Sequence, residues 1–385
     1  MERLPRDLNM NILSRLSVKC LLRLRCVSKP FCSLIDSQKF VKTHLNRSIE
    51  TDFNLSVILS YTPAPMISCS RYGQGKIFSA SLDSLNIAVE LDHPFKNCTG
   101  ETPIIDTCNG LIALKNGEND IALWNPSTKK HVLLPKFWSD FDDYADLVDG
   151  FGYDAVSDDY KVVRLIQFGR GKVEYTEIAV YSLKSNSSRR IRVDFPYYFS
   201  HPRDGTFARG HVHWLVLSEP EGYNEDLIVA FDLKSEEFFE VPLPHLENRD
   251  SGNLMYMGNF SGCLYFSCFC DYPEPVDIWI MKESWTKVFS FAGGVFGIFT
   301  YAKALAYSKS GDKVLVDKFL YDEDEDEGIN KWELGWYDLQ NQRAAGQVTV
   351  HGVPQGCRYT MIYVDSLIQK EMSRGRPTGK EGRTS

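Results

Sequence analysis

The hydrophobic positions along this chain follow two different periods, and the change falls near residue 44. From Leu4 to His44 the spacing is helical. Leu8, Ile12, Leu13 and Leu16 recur at intervals of four, one and three, which places them on one stripe of a helix opened by Pro5 and an early Asp7. Asn9, Asn11, Ser14 and Arg15 take its other side. A second short helix is predicted through Leu21, Leu22, Leu24, Cys26 and Val27. Ser28-Lys29-Pro30 breaks it and starts a third piece that carries Phe31, Leu34, Ile35, Phe40 and His44. A segment of about forty residues lies near the lower limit for a self-sufficient core, so part of its apolar surface is expected to belong to another protein.

After His44 the period falls to two, beginning with Asn54-Leu55-Ser56-Val57-Ile58-Leu59-Ser60, and no further long helix is predicted. Within this β region a weak repeat appears. Five times a β-branched residue or Leu is followed three places later by an aromatic and two further on by Pro, Leu or Met: Ile121-Trp124-Pro126, Ile178-Tyr181-Leu183, Ile228-Phe231-Leu233, Val276-Trp279-Met281 and Leu334-Tyr337-Leu339. A polar turn and another strand follow each copy, at 131–135, 189–193, 237–241, 284–290 and 346–350. Gly110, Gly210 and Gly262 each open a strand ahead of a copy, and a degenerate sixth unit begins near Ile77-Phe78. The aromatics are separated by 57, 50, 48 and 58 residues. That is the period of a Kelch-like propeller blade, a four-stranded sheet too small to bury both faces without neighbours. The repeated aromatics, Trp124, Trp279 and Tyr337 among them, are therefore expected to be blade core. Ring closure is expected from pairing of Val57–Ser60 with the strand near Met361–Val364.

Composition adds modest constraints. With 385 residues, 43% hydrophobic and 24% charged, the chain has enough apolar surface for a large core and too little charge for a disordered one. No apolar run approaches the length of a membrane helix and no leader is read at the start, so the expected location is cytoplasm and nucleus. The ten cysteines show neither Cys-x-x-Cys nor a regular spacing, and they are read as buried free thiols. The net charge of −8 is uneven: residues 1–50 carry a surplus of +6, leaving −14 on the remainder. Those basic residues lie among leucines without aromatic interleaving, and an acidic remainder repels phosphate, which argues against nucleic acid as a partner.

The first forty residues resemble an F-box, the helical module that docks onto the Skp-type adaptor of cullin-RING ubiquitin ligases. The likeness rests on Leu4-Pro5, on Ile12-Leu13 with Leu16, and on Leu24-Arg25-Cys26-Val27-Ser28-Lys29 followed by Leu34-Ile35. Phe31 stands where the family usually has Trp, a swap that keeps most of the volume. The β region is similar to the plant F-box-associated interaction domain, through Cys108-Asn109-Gly110-Leu111, Trp124-Asn125-Pro126-Ser127-Thr128, Gly150-Phe151-Gly152-Tyr153-Asp154, Asp158-Asp159-Tyr160-Lys161-Val162-Val163 and Ser284-Trp285-Thr286-Lys287. The turn between Met281 and Trp285 is shorter than the family often has. Ala80-Ser81-Leu82-Asp83-Ser84-Leu85, Val89-Glu90-Leu91-Asp92-His93-Pro94 and Ser28-Lys29-Pro30 most resemble the branch that restrains plant immunity by turning over nucleotide-binding leucine-rich-repeat (NLR) receptors. The pollen S-locus branch is the nearest rival.

Enzyme signatures are absent: there is no Gly-x-Ser-x-Gly, phosphate loop, His-Glu-x-x-His or dinucleotide fingerprint. His211 and His213 alternate on one strand with Cys268 and Cys270 on another, and the bland reading, strand residues without a ligand, is preferred to a metal site. Asp158 and Asp159 read as a β-turn pair. The acidic run 322–327 reads as a solvated loop.

The expected architecture is thus a small all-α F-box of three helices over residues 1–46, an all-β Kelch-like propeller of about six blades over 51–366, and a basic disordered tail over 367–385. The resemblance implies a non-catalytic substrate-recognition subunit of an SCF-type E3 ubiquitin ligase. It would bind the adaptor, and through it cullin, by Leu4, Pro5, Leu8, Ile12, Leu13 and Leu16, with Val27 and Ser28 beside them. A client protein, in the branch noted an NLR immune receptor, would be held by the β domain for ubiquitination. No cofactor or metal is expected. A stand-alone propeller scaffold whose helices only cap the ring is the competing class.

Overall fold

The computed structural model describes residues 5–61, 74–98, 100–135, 145–169, 173–199, 204–218, 226–246, 254–269, 276–291, 299–320, 331–354 and 357–368. Four helices come first: α1 (Arg6–Leu13), α2 (Val18–Leu24), α3 (Lys29–Ile35) and α4 (Gln38–Glu50). Each of the last three begins at a serine whose hydroxyl accepts the backbone N–H three residues on: Ser17 from Cys20, Ser28 from Phe31 and Ser37 from Phe40. The third expected piece is divided in two by that Ser37 cap. Helix α4 also continues past His44 to Glu50, because Phe40, His44, Leu45 and Ser48 keep a buried stripe at helical spacing.

The strands form six sheets. Blade 1 contains β1 (Leu55–Tyr61), β2 (Lys76–Ser81) and β3 (Val89–Glu90). Blade 2 is β4 (Ile104–Cys108), β5 (Leu111–Lys115), β6 (Ile121–Asn125) and β7 (Lys130–Leu133). Blade 3 is β8 (Ala145–Asp154), β9 (Asp159–Phe168), β10 (Tyr175–Ser182) and β11 (Ser187–Val193). Blade 4 has β12 (Tyr198–Phe199), β13 (Thr206–Ala208), β14 (His211–Leu217), β15 (Asp226–Asp232) and β16 (Phe238–Val241). Blade 5 has β17 (Leu254–Phe260), β18 (Cys263–Phe269), β19 (Val276–Met281) and β20 (Trp285–Phe291). Blade 6 has β21 (Phe299–Tyr307), β22 (Lys313–Leu320), β23 (Lys331–Asp338) and β24 (Arg343–Val348). The last strand, β25 (Cys357–Val364), returns to blade 1 and pairs antiparallel with β1, with Val57 opposite Ile362 and Ile58 opposite Met361. The expected closure is therefore present. Strands β25, β4, β8, β13, β17 and β21 neighbour one another in a ring around the axis.

Each copy of the repeat proves to be the third strand of a blade, followed by its outer edge. Trp124, Tyr181, Phe231 and Tyr337 are buried, whereas Trp279 is half-buried between blades 4 and 5. The apolar clusters lie mainly between blades. One joins Leu111, Leu123, Phe151, Val162 and Tyr181 of blades 2 and 3, and another joins Val57, Phe78, Leu315 and Leu334 of blades 1 and 6. The glycines that open strands share one cause. Asn109-Gly110, Arg209-Gly210 and Ser261-Gly262 are two-residue turns with positive φ at both positions, a twist that suits the innermost hairpin.

An antiparallel meander sends alternate connections to opposite faces. The turns within the β4–β5 and β6–β7 hairpins, and their equivalents in the other blades, have two to seven residues and lie on one face. The connections between second and third strands, and between blades, have four to fourteen residues and leave from the other. The helices sit on the short-turn face, since Lys42 reaches Asp158 in the β8–β9 turn at 3.0 Å and Gln38 reaches the same carboxylate at 3.3 Å.

Candidate functional site

The helical module divides its apolar residues between an inner core and an outer face. Met10, Leu13, Val18, Leu21, Leu34, Ile35 and Phe40 are buried together, with Leu16, Leu22, Leu24 and Phe31 packed against them. Phe31 thus packs, partly buried, against the edge of this core. Leu8, Ile12 and Val27 stay 50%, 51% and 68% exposed. Leu8 and Ile12 are one turn apart on α1 and so share its outer face.

The proposed contact residues therefore fall into two sets. Pro5, Leu8, Ile12 and Val27 face solvent, whereas Leu13 and Leu16 turn inward to the module's own core. The single stripe expected for α1 is split, because Met10 takes the inner face with Leu13. Ser28 uses its side chain to cap α3. Leu4 lies outside the described residues, as do Cys270, the acidic run 322–327 and residues 369–385.

Polar contacts fix this arrangement. Arg25, just after α2, pairs with Asp36, just after α3, at 2.6 Å; the hydrogen bond and charge of Asp36 hold the guanidinium pKa above its ordinary value. The Cys32 thiol is also pushed up, first by its hydrogen bond to Asp36. His44 is buried with Nε2 2.9 Å from the Leu16 carbonyl, and burial outweighs that bond to lower its pKa. A neutral ring donating to Leu16 ties α4 to the loop after α1.

The propeller centre is polar. Asp149 of β8 accepts two hydrogen bonds from Arg164 of β9, at 2.6 and 3.1 Å, and both side chains are fully buried. Lys115 of β5 lies 3.0 Å from Asp149 and 3.2 Å from Asp204, joining blades 2, 3 and 4. Burial pushes the Asp149 carboxyl up, but Lys115 and Arg164 together hold it below the usual range. Asp106 of β4 has no cation hydrogen-bonded to it among the described residues and feels the buried Lys303 ammonium only through its charge. It accepts backbone N–H groups from Phe207 and Thr107, and burial still pushes it up to about 7.

These groups form internal ties between strands and blades. Asp158 is a turn residue with φ +55 that accepts the Tyr153 hydroxyl, whereas Asp159 opens β9 opposite Asp154 and accepts the Lys184 N–H, so the expected turn pair holds for Asp158 alone. His213 is buried beside Thr206, while His211 pairs with Asp232 at 3.5 Å. Among the described residues no three His, Cys, Asp or Glu side chains are grouped to hold a metal ion.

Sequence comparison agrees with this division into module and propeller. A family model of the F-box domain matches residues 1–43, and one of the F-box associated beta propeller domain matches residues 65–343. F-box protein CPR1 of Arabidopsis thaliana is 34% identical over 372 residues, covering 89% of this chain and 84% of that protein. F-box protein At4g22390 of the same plant is 31% identical and covers 96% of this chain and 90% of its own length. F-box/kelch-repeat protein At3g23880, also from Arabidopsis thaliana, is 30% identical over 75% of this chain and 80% of its own. Helices, six-bladed ring and family matches coincide, and the chain belongs to the F-box proteins whose F-box is followed by an F-box-associated β-propeller domain.

Proposed function

We propose that this chain is the substrate-recognition subunit of an SCF-type E3 ubiquitin ligase, binding a Skp-type adaptor through its helices and a client protein through its propeller. The observation that carries the reading is the outward set Pro5, Leu8, Ile12 and Val27 on a module whose other large apolar residues are mostly buried. Burying one large apolar side chain in a partner groove contributes roughly 1.5–3 kcal/mol, so Leu8, Ile12 and Val27 form a set of anchors with Pro5 beside them. Leu4 belongs with them by sequence. Leu13, Leu16 and Ser28 support the surface from within.

The client is assigned to the face opposite the helices, where the longer connections depart. The adaptor then approaches one side of the ring and the client the other. The chain performs no covalent step; it raises the concentration of ubiquitin-loaded enzyme near the client's lysines. Such assemblies work in cytoplasm and nucleus, the location we assign. For the client we favour an NLR immune receptor, with negative regulation of defence. The support is the branch resemblance at Ala80–Leu85 and Val89–Pro94, residues that fall on β2, the β2–β3 turn, β3 and the segment after it.

Co-precipitation with a purified Skp-type adaptor tests the reading. The parent is expected to bind, and a Leu8→Asp, Ile12→Asp variant is expected to lose binding while its circular dichroism is unchanged. These positions suit the test because they are exposed; Leu13→Asp would disrupt the core instead. A parent that fails to bind would leave the helices as a cap on a propeller scaffold.

A further inference from the structure

The helical core is completed by a residue more than three hundred positions away. Leu367, just beyond β25, is 2% exposed among Leu13, Leu21, Ile35 and Phe40. Its neighbour Ile368 packs with Leu45 of α4 and with Cys108 and Leu111 of blade 2. Ser366 is fully buried between the two units. The C-terminal segment thus belongs to both.

Asn125, in the Trp124-Asn125-Pro126 repeat motif, holds this segment. Its Nδ2 lies 3.2 Å from the Ser366 carbonyl, 3.2 Å from Ser366 Oγ and 3.0 Å from the Ile368 carbonyl. Its Oδ1 accepts the Ser127 and Thr128 N–H groups and so shapes the β6–β7 turn. Ser127 in turn donates to Asp365 at 2.8 Å. Gly110 leaves the necessary room: a Cβ there would sit 2.1 Å from Ser366 Oγ. On the N-terminal side the covalent link from α4 to β1 is only Thr51–Asn54, where Asp52 and Asn54 have positive φ.

We propose that Ser366–Ile368 form a clip that fixes the angle between the helices and the propeller, which makes Asn125 a positioning residue for ubiquitin transfer. This rests on the ligase reading above. The adaptor side determines where loaded ubiquitin stands, and the propeller determines where acceptor lysines stand. A rigid junction restricts transfer to lysines within reach, while a junction hinged at Thr51–Asn54 spreads transfer over more of them.

Asn125→Asp isolates the clip, since it keeps the oxygen that shapes the turn and replaces the donor by an acceptor facing two carbonyls. Leu367→Ser releases the segment from the helical side, and Leu367→Met is the conservative control. The full chain is assembled with purified Skp-type adaptor, cullin-RING and loaded conjugating enzyme, and its self-modified propeller lysines are mapped. Amide exchange and adaptor affinity are measured in parallel. The expected result for Asn125→Asp and Leu367→Ser is at least tenfold faster exchange at Leu367 and Ile368, adaptor Kd within threefold of the parent, and a wider set of modified lysines. Leu367→Met should match the parent. An unchanged lysine pattern despite released exchange, or no release at all, overturns the proposal. If the parent binds no adaptor the ligase reading fails by itself, and small-angle scattering of the isolated chain judges the clip: a larger maximum dimension for Asn125→Asp supports it, and an unchanged curve overturns it.

Discussion

The helical module and the propeller are stabilised in different ways. The module keeps apolar side chains in solvent and places its polar ties near the surface, as in Arg25–Asp36 with side chains 38% and 35% exposed. The propeller places charges at its centre, where Arg164 and Asp149 have no exposure at all. An exposed leucine is a modest cost that a partner can relieve, whereas a buried charge needs a permanent partner within the fold. The module is therefore suited to association and the propeller to holding its own shape.

The sharpest test of this contrast is Arg164→Ala. It leaves Asp149 buried beside Lys115 alone and removes a bidentate tie between strands β8 and β9, so a loss of about 3–5 kcal/mol is expected. Denaturant unfolding followed by tryptophan fluorescence reports it. A change below 1 kcal/mol would show that Lys115 and solvent compensate, and the buried pair would lose its special place.

Within the module, Leu13→Ala and Ile12→Ala should diverge although the residues are adjacent. Leu13 is a core side chain and its truncation should cost about 2–4 kcal/mol. Ile12 is half exposed, so its truncation should stay within about 0.5 kcal/mol in the free protein and instead weaken adaptor binding. Equal losses of stability would erase the division between inner and outer residues.

A smaller effect follows from pH. Burial lowers His213 from 6.5 to about 4, so the unfolded chain takes up a proton first on acidification and stability falls as pH drops through that window. Asp106, raised to about 7, acts in the opposite sense: the folded state holds the proton between pH 4 and 7, and stability rises as pH drops. The two nearly cancel in the parent. His213→Gln removes one of them, and between pH 7 and pH 5.5 the variant should gain about 1 kcal/mol relative to the parent in urea titrations. No relative gain would mean that His213 takes up protons in the folded state.

Much of this was legible because it is written in local periods. Spacing of apolar residues marks α1, and the aromatic repeat marks the third strand of each of five blades. Reading β1 against the final strand anticipated closure, since a propeller without it leaves unpaired edges. The extent of α4 was missed at its C-terminal half, where Leu45 and Ser48 continue the stripe but polar neighbours dilute it. The grouping of Leu8, Ile12, Leu13 and Leu16 into one face was also too coarse: an α-helix can bury two sides of its apolar arc against different partners, one within the chain and one outside it.

The sequence by itself determined the two periods, the order of five repeated blades and the family, because hydrophobic spacing and turn chemistry act over a few residues; the count of six came from the sheets themselves. Only the tertiary structure decided which leucines are free for a partner, which charges meet at the axis, and that Leu367 belongs to a core begun at Met10. Those depend on contacts between residues far apart in the chain, and no local period records which distant side chain fills the remaining space.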